Sequence, residues 1–154
     1  MQFRECYLLL VDDARDDQVL FGVAFHAAKP QLLKMLPPRS SGSGAIRYLS
    51  GHSDFADRKR FPHPDFLLLD LKMPGKSGFD VLRWLRQQSQ RPVTYVLTDS
   101  TNKVDREKAF ALGATDYLIK PPGLPELIDL IRRLDMTWQQ SLSVARPNLR
   151  LESS

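Results

Sequence analysis

The stretch DFLLLDLKMPGKSGFDVL (65–82) sets out a unit that the rest of the chain repeats. Four apolar residues, Phe66 to Leu69, stop abruptly at Asp70. So short an apolar run, bounded by polar residues, suits a strand buried on both faces of a parallel sheet. Beyond Pro74-Gly75 the period changes. Val81, Leu82 and Leu85 then form one apolar face of a helix over Gly78–Gln88, with arginines outside it.

Working outward, the same unit recurs. Cys6 to Val11 is apolar and stops at Asp12-Asp13, Val93 to Leu97 stops at Thr98-Asp99-Ser100, and Tyr117 to Ile119 stops at Lys120-Pro121. A weaker run, Gln31 to Leu36, stops at Pro37-Pro38. Helical patterns lie between them. In Asp16–Ala28, Val19, Val23 and Ala27 fall four apart, with Asp16 and Asp17 in the first turn, where acids suit the helix dipole. Val104–Leu112 stops at Gly113, a C-terminal glycine signal. Pro125–Trp138 repeats Leu127, Ile131 and Leu134, and a short helix fits Ala45–Leu49. Strand and helix alternating five times predict a doubly wound α/β domain with a five-stranded parallel sheet, (βα)5.

The 154 residues suit one domain, placed at 1–140, with a basic polar insert near 51–64 and a flexible tail over 141–154. Apolar residues at 42% and charged residues at 26% fit a globular chain. The single cysteine, Cys6, excludes an internal disulfide framework and a cysteine-based zinc cluster. No apolar run approaches a membrane span and no signal peptide is legible, so the expected location is the cytoplasm. The net charge is +4, yet Lys29–Pro64 alone holds seven Lys/Arg against two acids. The basic excess therefore sits in one segment, which reads either as a specialised surface or as a solvated loop.

In a doubly wound sheet the ligand crevice lies at the carboxyl ends of the strands. Asp12, Asp13, Asp70, Thr98 and Lys120 all fall there. Each has an ordinary explanation when taken alone: Asp12-Asp13 as caps of the next helix, Lys120 as a solvated side chain, Thr98 as a strand-end hydroxyl. Together they suggest hard oxygen ligands for Mg²⁺ and an ammonium for phosphoryl oxygens. No histidine, serine or cysteine directly ends these strands, which leaves a hydrolytic triad without candidates.

Over about residues 4 to 138 the sequence resembles the receiver domain of bacterial two-component response regulators, the CheY-like family. The likeness rests on LLLVDD (8–13), the quoted 65–82 stretch, VLTDS (96–100) and GATDYLIKP (113–121). The insert and the terminal helix through Trp138 also resemble the small stand-alone regulators associated with phytochrome-type sensor kinases. The resemblance implies a flavodoxin-like receiver fold and a role as a single-domain response regulator rather than an enzyme. Asp70 would accept a phosphoryl group from a histidine kinase. Asp12, Asp13, Asp70 and the backbone carbonyl of Lys72 would hold Mg²⁺, and Lys120 would pair with the phosphoryl oxygens. Thr98 and Tyr117 would form the switch, and Lys120-Pro121 would be a cis peptide.

Three departures from the family pattern carry expectations of their own. Asp99 stands where a small residue is usual, and Lys72 and Asp99 are expected to pair across the site and tune phosphoryl lifetime. Pro121-Pro122-Gly123 replaces a proline–aromatic pair, predicting a stiff loop without the usual apolar plug. Homodimerisation is a partner state that the family allows. A competing reading is a receiver-fold module that binds nucleic acid or an acidic protein through its basic insert without phosphorylation. That segment lacks interleaved aromatics and a helix-turn-helix pattern, which disfavours nucleic acid. An aspartyl-nucleophile phosphatase would need an acid two residues after Asp70, where Lys72 stands.

Overall fold

The computed structural model describes residues 5–145. The strands are β1 (Cys6–Val11), β2 (Leu33–Met35), β3 (Phe66–Leu69), β4 (Val93–Thr98) and β5 (Asp116–Ile119). The helices are α1 (Arg15–Ala28), α2 (Gly42–Ser50), α3 (Gly78–Leu85), α4 (Lys103–Ala111) and α5 (Leu124–Ala145). All pairings are parallel, as the alternation of patterns predicted, and the sheet order is β2-β1-β3-β4-β5. The chain begins at β1, winds outward to β2, then crosses back to β3, so the switch point of strand order lies between β1 and β3.

Strand alternation divides the core into two layers. Leu9, Val11, Leu67 and Leu69 face a cluster with Tyr48, Val81, Leu82 and Ala109, from α2, α3 and α4. Leu8, Leu10, Phe66 and Leu68 face Phe21, Ala24, Leu127, Ile131 and Leu134, from α1 and α5. Burial on both faces explains why β1 and β3 read as continuous apolar runs rather than alternating ones.

The helix ends are chemically specified. The Ser41 side chain accepts from Gly44 N and opens α2, and Gly51 closes it at φ 69°. Ser77 and Asp80 form a reciprocal capping box at the start of α3. α4 stops before Gly113 at φ 105°, a conformation that an L side chain rarely adopts.

Several expectations need correction. Val19 and Val23 are 58% and 50% exposed, Ala27 is exposed too, and α1 buries Phe21, Ala24 and Ala28 instead. The small alanines let α1 pack closely on α5. α2 is longer than expected, opening within the turn-rich 37–44 stretch because Ser41 caps it. α5 runs to Ala145, into the stretch expected as a tail, and residues 146–154 lie outside the described ones. Lys120-Pro121 is trans, as are all other described peptide bonds, in line with the ordinary preference of X–Pro bonds.

The basic insert is anchored to the fold through its aromatics and Arg58, while His52, Asp57, Lys59 and Arg60 stay exposed. A single 3-10 turn at Ser53–Phe55 places Phe55 against Tyr48, with centroids 5.1 Å apart, and Phe61 edge-on to Phe55 at 5.2 Å. Tyr48 Oη donates to Pro62 O at 2.7 Å, and Arg58 donates to Leu49 O at 2.8 Å and Phe61 O at 3.1 Å. The Arg39 guanidinium lies 4.9 Å from the Tyr48 ring centre and 4.6 Å from that of Phe55.

On the other face of the sheet, the buried carboxylate of Asp135 on α5 accepts from the backbone N–H groups of Gln31, Leu32 and Leu33 at 3.0, 2.8 and 3.0 Å. It thereby fixes the start of the short strand β2. Asp135→Ala strands these donors and is expected to cost about 2–3 kcal/mol, with Asp135→Asn costing less because one acceptor oxygen remains. Urea unfolding at pH 7 reads both.

His63 in the insert is half-buried, and that burial, reinforced by the Arg58 charge, holds its pKa below the usual histidine value. The unfolded chain binds this proton near the ordinary histidine value of 6.5 while the folded chain resists it, so stability present above that pH falls as the pH drops below it. Urea midpoints of His63→Gln are expected to fall less steeply than those of the parent between about pH 6.5 and 5. Parallel slopes would show that His63 does not contribute.

Candidate functional site

The sheet itself positions the strand-end residues, because its hydrogen-bond ladder continues one step past the strands. Asp12 N donates to Arg39 O at 3.0 Å, Asp70 N to Val11 O at 3.0 Å, and Lys120 N to Thr98 O at 2.8 Å. Asp12 follows β1, Asp70 follows β3, Thr98 ends β4 and Lys120 follows β5, so the four meet along one edge at the switch point. Backbone packing beneath Asp70 is tight. A Cβ on Gly78 would fall 2.3 Å from the Asp70 carbonyl oxygen and 2.8 Å from Leu71 Cα. Only glycine lets the start of α3 approach the β3–α3 loop so closely.

Asp12 and Asp70 are buried, at 2% and 6% exposure, and Asp13 is exposed. Each of the three offers an oxygen, and these oxygens lie within 4.8 Å of one another. Lys120 Nζ stands among them, 2.9 Å from Asp12 Oδ2 and 3.2 Å from Asp70 Oδ2. It also lies 2.7 Å from Asp17 Oδ2, on the first turn of α1. Burial favours the uncharged amine, but the hydrogen bonds to Asp17 and Asp12 and the charges of Asp70 and Asp12 outweigh it and raise the Lys120 pKa. Asp12 moves the other way from a satisfied ion pair. Desolvation raises its pKa despite the Lys120 hydrogen bond and a 2.9 Å bond from Ala14 N.

That imbalance is the fit test for a metal. Three carboxylates, Asp12, Asp17 and Asp70, share one ammonium while Asp13 adds a fourth acid beside them, and the most buried, Asp12, is still pushed toward its neutral form. Hard carboxylate oxygens this close suit a divalent cation such as Mg²⁺, which uses one or two carboxylates and keeps several waters. The capping reading of Asp12 does not hold: Ala14 is the N-cap of α1, no side chain caps that helix, and Asp12 accepts from Ala14 N in the turn before it.

Beside this cluster, buried Thr98 accepts from Ser100 N at 3.3 Å. Ser100 Oγ donates to Asp105 Oδ2 at 2.7 Å, and Tyr117 Oη donates to the Ser100 carbonyl at 2.9 Å. Tyr117 is buried, with its ring already inside. Lys72 and Asp99 are both exposed, and no ion pair joins them among the described residues; both charges are met by solvent instead. Lys72 contributes its backbone N–H, 3.4 Å from Asp70 Oδ1. From sequence Asp17 reads only as a first-turn acid and Ser100 only as part of a strand end; neither is placed in the site. The available signal was spacing: Asp17 follows Asp13 by four residues, one helical turn along, and so returns to the same edge.

Comparison with known proteins bears on the family and the fold. A family model for the response regulator receiver domain matches residues 9–132. The transcriptional regulatory protein CpxR of Klebsiella pneumoniae subsp. pneumoniae is 40% identical over 94 residues, 58% of this chain and 40% of that protein. The chain spans less than half the length of the curated relatives it matches. Among solved structures, the response regulator RPA3017 in red light signaling of R. palustris has a TM-score of 0.76 at 30% identity, covering 84% of this chain and 90% of that one. The phosphorylated cyanobacterial phytochrome response regulator RcpA gives 0.77 at 25% identity, covering 89% and 96%. The Mn²⁺-bound response regulator Rcp1 gives 0.72 at 26% identity, covering 86% and 94%.

A direct check on the acidic cluster is Mn²⁺ or Mg²⁺ titration by calorimetry. Asp13→Asn is expected to weaken binding by about tenfold or more, since loss of a mere supporting partner costs roughly 10–100-fold in metal sites. Asp54→Asn, in the insert, is expected to bind as the parent does.

Proposed function

This chain belongs to the response regulator receiver family, and we propose that it accepts a phosphoryl group on Asp70, with Mg²⁺, from a sensor histidine kinase. Receiver domains interact with histidine kinases. The similarity to RcpA and RPA3017 supports a kinase of the phytochrome type. The single observation that carries the reading is the placement of Asp70: buried at the switch point, 3.2 Å from Lys120 Nζ, and within reach of the Asp12 and Asp13 oxygens.

Phosphoryl transfer depends on positioning and charge neutralisation more than on covalent help from the protein. One Asp70 oxygen forms the new bond to phosphorus while the phosphohistidine P–N bond breaks, and the departing imidazole keeps the electron pair. Asp12, Asp13, Asp70 and the Lys72 carbonyl would hold Mg²⁺, which when bound neutralises charge on the transferring oxygens. Lys120 meets those oxygens as a point charge. Thr98 ends the strand next to Asp70, where its hydroxyl donates to the phosphoryl group, and Tyr117 reports that movement through Ser100. Response regulators are generally not enzymes, and the chemistry here is confined to the protein's own phosphorylation and its reversal. The basic segment supplies no observation that favours a second reading: Arg39 lies against aromatic rings and, within the insert, Arg58 is held by the Leu49 and Phe61 carbonyls, leaving Lys59 and Arg60 exposed.

Incubation with acetyl phosphate and Mg²⁺ is expected to add one phosphoryl mass, lost in Asp70→Asn and suppressed by EDTA. An unchanged mass, or a gain that survives Asp70→Asn, would reject the assignment.

A further inference from the structure

An ammonium has three N–H donors. In Lys120 all three have a carboxylate partner: Asp12 Oδ2 at 2.9 Å, Asp17 Oδ2 at 2.7 Å and Asp70 Oδ2 at 3.2 Å. A phosphoryl group on Asp70 replaces a single negative charge with a larger one and brings three terminal oxygens to Lys120. One present contact must then loosen. Asp12 is fixed, since it is 2% exposed and its other oxygen is held by Ala14 N. The Asp70 contact moves outward with the phosphoryl group itself. Asp17 is the remaining partner, and its side chain is 42% exposed.

The surroundings of that contact support the same choice. Asp17 and Lys120 line a hollow of about 40 Å³ whose other walls include Leu10, Phe21 and Leu97. That is room for a water molecule, which needs roughly 10–15 Å³. When Asp17 withdraws, water takes its place, and water yields to a phosphoryl oxygen where a carboxylate competes with it.

We infer that Asp17 is a positioning residue for phosphoryl transfer: it holds Lys120 at the site before phosphorylation and competes with the phosphoryl group for it afterwards, shortening the life of the phosphorylated state. This rests on the assignment of Asp70 as phosphoacceptor. The competition is that of a half-exposed ion pair, so its removal changes rates about two- to fivefold.

The test is phosphorylation of the full chain with acetyl phosphate and Mg²⁺. An Asp70 oxygen bonds to phosphorus, the acyl P–O bond breaks and acetate leaves with the electron pair; the donor is then removed and loss of the phosphoryl group is followed by mass. Asp17→Asn is expected to lengthen the phosphoryl half-life about two- to fivefold, with a thermal midpoint like that of the parent. Asp17→Glu, which restores a carboxylate on a longer stem, is expected to return the half-life toward the parent value. Equal half-lives in the parent and Asp17→Asn, or an Asp17→Glu protein that behaves like Asp17→Asn, overturn the role of Asp17 alone. A parent protein that takes no phosphoryl group on Asp70 overturns the phosphoacceptor assignment, and this inference with it.

Discussion

The ammonium of Lys120 is the contact on which the site depends. Three acids from three different elements, Asp12 after β1, Asp70 after β3 and Asp17 on α1, converge on one nitrogen delivered by a fourth element, β5. Without that cation, buried Asp12 and Asp70 would repel each other in a medium that screens poorly. With it, the edge of the sheet tolerates a local excess of negative charge in a chain whose net charge is +4. The basic excess lies elsewhere, in 29–64, where arginines stack on Tyr48, Phe55 and Phe61 rather than reaching the acids.

The fold brings these groups together through main-chain geometry more than through side-chain packing. Parallel strands put every carboxyl end on the same edge, and the order β2-β1-β3-β4-β5 opens a crevice where the winding reverses. Ladder hydrogen bonds then carry that order one residue further, onto Asp12, Asp70 and Lys120. Gly78 lets α3 close against the Asp70 carbonyl, and the Ser77–Asp80 capping box sets where that helix begins. Substitution at Gly78, which touches the Asp70 backbone but not its carboxylate, therefore displaces the backbone that aims it.

Much of this was legible in the sequence because strands buried on both faces leave unbroken apolar runs with sharp polar ends. The runs at 6–11 and 66–69 mark β1 and β3 to the residue, and the residues after them are the site. Periodicity was less informative on α1. Val19, Val23 and Ala27 have helical spacing, and so do Phe21, Ala24 and Ala28; only the close contact with α5 decides which stripe is buried, favouring the one with small residues. The insert read as polar because its charged residues outnumber its aromatics. Its two phenylalanines nevertheless supply the contacts that fold it onto α2. Asp17 was read as a helix-dipole acid, a role it retains, because its partner lies 103 residues away in sequence.

Charge at the site shows why one lysine does not suffice. Asp12, Asp17 and Asp70 bring three negative charges onto a single positive one, Asp13 adds a fourth beside Asp12 and Asp70, and burial still drives the Asp12 pKa upward. A divalent cation at the Asp12–Asp13–Asp70 oxygens offsets most of that surplus, whereas a phosphoryl group on Asp70 restores part of it. Under the proposed phosphorylation the two states would differ by charge that exposed Asp13 and half-exposed Asp17, at the rim, can turn toward solvent. Buried Asp12 and Asp70 have no such freedom, being tied by their own backbone N–H groups to Arg39 and Val11. A rigid acidic floor with a yielding acidic rim is an arrangement in which a small change of charge is absorbed by side-chain movement while the sheet stays as it is.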